Sequence, residues 1–124
     1  MSHFTRIETK LRDIGVVKEA LQEMGYAVRE RANVRGYNAG AEAHADLVIE
    51  AEDGRDIGFR QVGDQVEIVA DFWNRPIDQV KFLKRVTQQY AYRMIIQRAE
   101  EQGFQVVKTE RQDDGSIRVV VQRW

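Results

Sequence analysis

Residues 47–71 read LVIEAEDGRDIGFRQVGDQVEIVAD. Leu47, Ile49 and Ala51 alternate with Val48 and Glu50. Ile57, Phe59 and Gln61 alternate with Arg60 and Val62, and Val66, Ile68 and Ala70 alternate with Glu67, Val69 and Asp71. A period of two marks strands with one face buried. Asp53-Gly54 and Gly63-Asp64 punctuate the three runs. Asp-Gly is a two-residue hairpin signal, because both central positions tolerate positive φ. Strands joined this closely pair antiparallel. The stretch therefore predicts a three-stranded meander whose register is held by local contacts.

Working towards the start, two Gly and two Asn between Asn33 and Gly40 predict a loop. Tyr26 to Arg31 reads as a strand, with Tyr26, Val28 and Glu30 on one face and Arg29 and Arg31 on the other. Ile14, Val17, Leu21 and Met24 fall at spacings of three and four. Asp13 before them suits an N-cap and Gly25 after them a left-handed C-cap, so a helix is predicted over 14–24. Residues 3–9, anchored by Phe4 and Ile7, read as a short first strand.

Working towards the end, Pro76 suits a helix start, and no Gly or Pro interrupts Ile77 to Gln102. At 1.5 Å per residue that helix spans close to ~40 Å. Val80, Leu83, Thr87, Tyr90, Ala91, Met94 and Ile95 share one face, which is taken as the core stripe. Phe82, Tyr92 and Ile96 lie off that stripe. Gly103 ends the helix, and Phe104 to Arg111 and Ser116 to Trp124 form two strands around Asp114-Gly115. The order β-α-β-β-β-β-α-β-β predicts an α+β two-layer sandwich: one mainly antiparallel sheet with both helices on one face.

Composition bounds the function. The 124 residues, 43% hydrophobic and 31% charged, suit a single domain over 1–124. No window approaches a membrane span. Met1 to Thr5 lacks a basic run followed by an apolar core, so no signal peptide is expected. With 19 basic and 20 acidic side chains the balance argues against a general nucleic-acid binder. The absence of Cys excludes disulfides, thiol catalysis and thiolate metal sites.

Motifs for chemistry are sparse. His3 and His44 are the only histidines, and neither belongs to a spaced metal pair. His44 lies near Glu42 and Asp46, a grouping common on solvated edges. Ser2 and Ser116 sit at a terminus and in a turn, outside any nucleophile elbow. Asp71, beside Phe72 and Trp73, would rise in pKa if buried, although a turn-capping role suits it as well. No catalytic residue, metal or cofactor is therefore expected. The most promising ligand feature is Arg29, Arg31, Arg35 and Tyr37 around the 33–40 loop. Arg forks suit phosphate or carboxylate, and Tyr37 can stack on a ring. Phe72, Trp73, Phe82, Tyr92 and Trp124 are the candidate partner-binding side chains, because aromatic anchors dominate protein interfaces.

Several stretches carry a resemblance: Met1 to Thr5, Asp56-Ile57-Gly58-Phe59, Val69 to Trp73, Tyr90 to Arg93, Gly103-Phe104, Asp114 to Arg118, and the closing Gln122-Arg123-Trp124. Together they resemble the uncharacterised proteins of cyanobacterial genomes and algal plastids encoded as a hypothetical chloroplast reading frame. The resemblance covers nearly the whole chain. It implies a cyanobacterial cytoplasm or plastid stroma, and an accessory role alongside an AAA-type ATPase.

Three readings follow. The first is a non-enzymatic accessory or adaptor protein with a protein partner, an AAA-type ATPase or a second copy of the chain. The second is a small anionic-ligand or nucleotide-binding domain using Arg29, Arg31, Arg35 and Tyr37. The third is single-stranded RNA binding on the sheet face left open by the helices.

Overall fold

A computed structural model describes residues 4–36, 42–71, 78–114 and 116–123, apart from the side chains of Thr5, Glu42 and Ile117. The expected meander is present. It comprises β3 (Glu42–Glu50), β4 (Asp56–Val62) and β5 (Gln65–Asp71). On one flank β1 (Phe4–Glu8) pairs with β5, and on the other β2 (Arg29–Arg35) pairs with β3. The sheet order is β1-β5-β4-β3-β2, with every pair antiparallel.

Both helices cover one face of this sheet. Val17 and Leu21 of α1 (Ile14–Glu23) and Phe82 and Val86 of α2 (Gln79–Glu101) meet Leu47, Ile49, Ile57, Phe59, Val66 and Ile68 in one buried cluster. Alternation along the strands selects these residues. Phe82 packs between the rings of Tyr26, 6.3 Å away and edge-on, and Phe59, 6.4 Å away. The α+β sandwich is thus the observed architecture.

Local signals act largely as expected. Asp13 Oδ1 accepts from the N–H groups of Gly15 and Val16 and caps α1. Past α1, Gly25 takes φ +96, its N–H reaching Gln22 O while Tyr26 N–H reaches Leu21 O. These two bonds make a Schellman motif. They consume Tyr26, so the second strand begins at Arg29 and runs to Arg35, not over 26–31. The Gly63-Asp64 turn joins the paired residues Val62 and Gln65, with only Gly63 at positive φ, as a II′ turn requires. The Asp53-Gly54 turn is wider than two residues. Glu50 and Asp56 are the last pair, and Ala51 N–H donates to Arg55 O. Asp53 Oδ1 accepts from Arg55 N–H, and of this turn only Gly54 takes a positive φ.

Two expectations about the long helix are corrected. Its last-turn neighbours, β6 (Phe104–Arg111) and β7 (Ile117–Arg123), form a separate two-stranded sheet instead of extending the large one. This hairpin lies against α2. Tyr92 Oη and Thr109 Oγ1 are 3.2 Å apart across that contact. The buried face of α2 overlaps the expected stripe only in part. Leu83 and Tyr90 pack against the core as expected, but its buried residues are Phe82 and Val86, and Val80 is 78% exposed. Asp78, whose carboxylate accepts from Lys81 N–H, starts the helix and fixes that phase. Pro76, expected near the start, lies outside the described residues.

Candidate functional site

The expected ligand arginines are the first place to look. Arg29 and Arg35 both reach the carboxylate of Asp56, whose side chain is 0% exposed. Arg29 Nη2 donates to Oδ1 at 2.9 Å. Arg35 donates from Nε to Oδ2 at 2.9 Å, from Nη2 to Oδ1 at 3.0 Å, and from its backbone N–H to Oδ2 at 3.0 Å. Burial alone would push this carboxyl up. The Arg35 hydrogen bonds and the Arg29 and Arg35 charges outweigh it and hold Asp56 below the usual aspartate range.

Residues six apart on a straight strand stand roughly 20 Å apart. Two such arginines share one carboxylate here because β2 changes direction between them. Arg31, at φ +49, marks the place. Arg31 and Asp46 stand opposite each other without pairing, while residues on both sides of them pair in register. Beyond this point Ala32, Val34 and Ala45 turn to the sheet face away from the helices. There Val34, Ala45 and Val48 form a second buried cluster. Gly58 lies directly beneath. A Cβ on it would sit 2.4 Å from Val34 Cγ2 and 2.8 Å from the Ala45 Cβ. Only a glycine admits so close an approach.

The sheet face expected to be open for RNA is therefore covered over Gly58 by the far end of the β2–β3 hairpin. Arg29 and Arg35 fasten this cover. Arg31 does not join them, but lines a shallow depression with Glu30, Asp46, Leu47 and Gln61. Tyr37 lies outside the described residues, so the structure assembles no four-residue ligand set. Among the smaller candidates, Asp46 accepts from Gln61 N–H and His44 stands by Asn33, so the two face different partners. Asp71 is buried at the end of β5, paired in register with Phe4.

The expected partner-binding aromatics divide. Phe72, Trp73 and Trp124 lie outside the described residues. Phe82 is a correction: it is a core side chain, 4% exposed, because the helix phase turns it onto the sheet. Tyr92 is half-buried under the β6–β7 hairpin, beside Gln88, Ala91, Ile95 and Val119.

An apolar surface stays open on α2. A groove of about 360 Å³ is lined by Lys10, Leu11, Thr87, Tyr90, Ala91, Met94, Ile95 and Arg98. Its base is firmly held. Leu11 is buried and its carbonyl accepts from Val66 N–H. The Tyr90 hydroxyl accepts from the N–H groups of Arg12 and Asp13, tying α2 to the start of α1. Gln61 reinforces the same corner: its Oε1 accepts from Ile14 N–H and its Nε2 donates to Arg12 O. Arg93 bridges α2 to Glu19 and Glu23 of α1. Above this base Ala91 is exposed and Ile95 is 48% exposed. The sequence signal was present, since Thr87, Tyr90, Ala91, Met94 and Ile95 share one face. Sequence alone assigns that face to the core, because nothing local reveals where the sheet ends beneath a long helix.

The geometry defines a small α+β protein with an ion-paired cluster behind its sheet and an apolar groove along its long helix. The chain belongs to the family described as Protein of unknown function (DUF1257), which it matches over residues 20–120. It is 33% identical over 126 residues to the uncharacterized protein ycf35 of Pyropia yezoensis, covering 100% of this chain and 98% of that one. The ycf35 protein of Guillardia theta is 35% identical over 127 residues, with the same coverage of both chains. That of Cyanophora paradoxa is 32% identical over 126 residues, again with 100% and 98% covered. These are the plastid-encoded proteins that the sequence resembles. No solved structure matches the chain.

Proposed function

We propose that the chain is a non-catalytic accessory protein that docks a partner protein on the α2 groove. The observation that carries this reading is an apolar surface left open on a rigid base. Contiguous apolar surface rimmed by polar side chains is what an interaction site presents. The groove is also held on hydrogen-bonded elements rather than on a loose loop, which reduces the ordering cost of binding. The plastid-encoded relatives support a plastid as its compartment; the stroma, or a cyanobacterial cytoplasm, is what the sequence resemblance implies. An AAA-type ATPase, implied by the sequence resemblance, is one partner to look for there.

The test is site-specific photocrosslinking in the native compartment. A benzophenone side chain replaces Ala91, and a control replaces Val62, an exposed apolar residue of β4. A discrete adduct from position 91 that position 62 does not give, reproduced with the purified partner, is the expected result. Identical adduct patterns from both positions overturn the reading.

A further inference from the structure

We infer that the occupant of the α2 groove is an amphipathic helix of a partner protein with acidic residues flanking its apolar stripe. This rests on the docking role proposed above and adds the chemistry of the partner.

The wall supplied by α2 presents Thr87, Tyr90, Ala91, Met94, Ile95 and Arg98, the i, i+3, i+4, i+7 spacing of one helix face. Thr87 to Arg98 spans about 16 Å, or three turns. A second helix fits such a ridge by ridges-into-grooves packing. An extended peptide would instead need a strand edge for its main-chain bonds, and the groove walls are a helix and the 10–11 turn.

The charge at the groove has one sign. Lys10 and Arg98 are its charged lining residues, both exposed and neither in an ion pair among the described residues. Seven other cations, Arg12, Lys18, Arg29, Arg35, Arg60, Arg93 and Lys108, have an acidic neighbour, whereas these two have none among the described residues. A partner with acidic flanks pairs them where apolar surface is also open. A second copy does not, because an isologous pair sets the same patch against itself and brings Lys10 and Arg98 towards their own counterparts.

The experiment uses the full chain and a displayed library of 16-residue helical peptides. Each peptide carries an apolar i, i+3, i+4, i+7 stripe and randomised flanking positions. Selection is counted against Ile95→Asn, which blunts the groove without adding charge. Enrichment of Asp and Glu at the flanks supports the inference. So does an affinity of the selected peptide that falls about tenfold in the Lys10→Glu/Arg98→Glu double variant, the scale of reversing two exposed pairs. Both substitutions are at exposed positions, and circular dichroism confirms the fold. Neutral or basic flanks on groove-dependent peptides overturn the acidic partner and leave the docking role standing. No enrichment over Ile95→Asn overturns both. Self-association that light scattering shows to be lost in Ile95→Asn overturns the inference in favour of a second copy.

Discussion

The back of the sheet at Gly58 and the outer face of α2 at Ala91 are both bordered by cations, and the two places use them in opposite ways. At Gly58, Arg29 and Arg35 are turned inward onto a carboxylate that is 0% exposed. At Ala91, Lys10 and Arg98 stand exposed around apolar surface, with no acid among the described residues that line it. The first arrangement is scaffold: its charges are satisfied and its apolar side chains are dry. The second leaves both apolar area and charge for another molecule. A cluster of arginines in a sequence thus says little about ligands until the acids that consume it are known. Asp56 alone moves the arginine cluster from candidate ligand site to structural fastener.

The sharpest way to break this comparison is to lift the cover from Gly58. Gly58→Ala places a methyl 2.4 Å from Val34 Cγ2 and 2.8 Å from the Ala45 Cβ, while Val69 O lies at 3.2 Å. The neighbours cannot all retreat, so the substitution costs about 3 kcal/mol, the upper range for overpacking. Urea denaturation measures it. Combined with Val34→Ala, the loss is less than additive by about 1 kcal/mol, because the clashing methyl is gone. Strict additivity would mean that Val34 does not lie over Gly58.

Next in size is the fastener. Asp56→Asn keeps the side-chain shape but loses the charge that receives two guanidinium groups. Arg29 and Arg35 are 49% and 60% exposed, so water recovers part of what they lose. The expected cost is about 2 kcal/mol, within the range for hydrogen bonds to a charged group. Its pH dependence has a definite sign. The folded-state carboxyl lies below its unfolded value, so the folded state binds protons less readily than the unfolded chain. The contribution is fully present above the unfolded aspartate value, about 3.9, and is lost as pH falls through the lower folded value. The stability gap between the wild type and Asp56→Asn is therefore constant above about pH 5 and shrinks below about pH 4. A gap independent of pH down to acid unfolding would sink the assignment.

The face of α2 gives a paired test of smaller size. Val86 is 0% exposed and Val80 is 78% exposed. Val86→Ala costs about 2 kcal/mol through lost burial and a cavity. Val80→Ala stays within about 0.5 kcal/mol, as exposed substitutions do. Comparable losses at the two positions would restore the core stripe expected from sequence.

That pair also shows where sequence reading stopped. The meander was legible because alternation and Asp/Gly turns are local, and the Asp13 and Gly25 caps were legible for the same reason. The helix phase was not. Apolar residues occur around much of α2, which serves the sheet with Phe82 and Val86 and the β6–β7 hairpin with Tyr92. A helix with two partners carries two overlapping patterns. The turn at Arg31 was equally hidden, since it depends on Gly58 and Asp56, both more than twenty residues away. A faint signal did exist: parity puts Asp56 on the same sheet face as Gly58. An acid beside a glycine inside a strand suits a buried charge under a close backbone approach. The groove needed more than parity, because its floor, Leu11, comes from a turn that no periodicity flags.

A smaller predicted stability change carries the largest functional reading. Ile95 is 48% exposed and stands over the groove, so Ile95→Asn removes only part of a buried side chain. Its stability falls by about 1 kcal/mol, roughly half the loss at Val86, measured by the same urea titrations. Binding of the groove-selected peptide is lost, because a polar amide replaces an apolar contact that desolvates only on docking. The contrast with Gly58 is then complete: one residue matters to folding and carries no recognition, the other matters to recognition more than to folding. A stability loss at Ile95 as large as at Val86 would mean that the groove is filled by the chain itself. It would then belong to the core, on the same footing as the cover over Gly58.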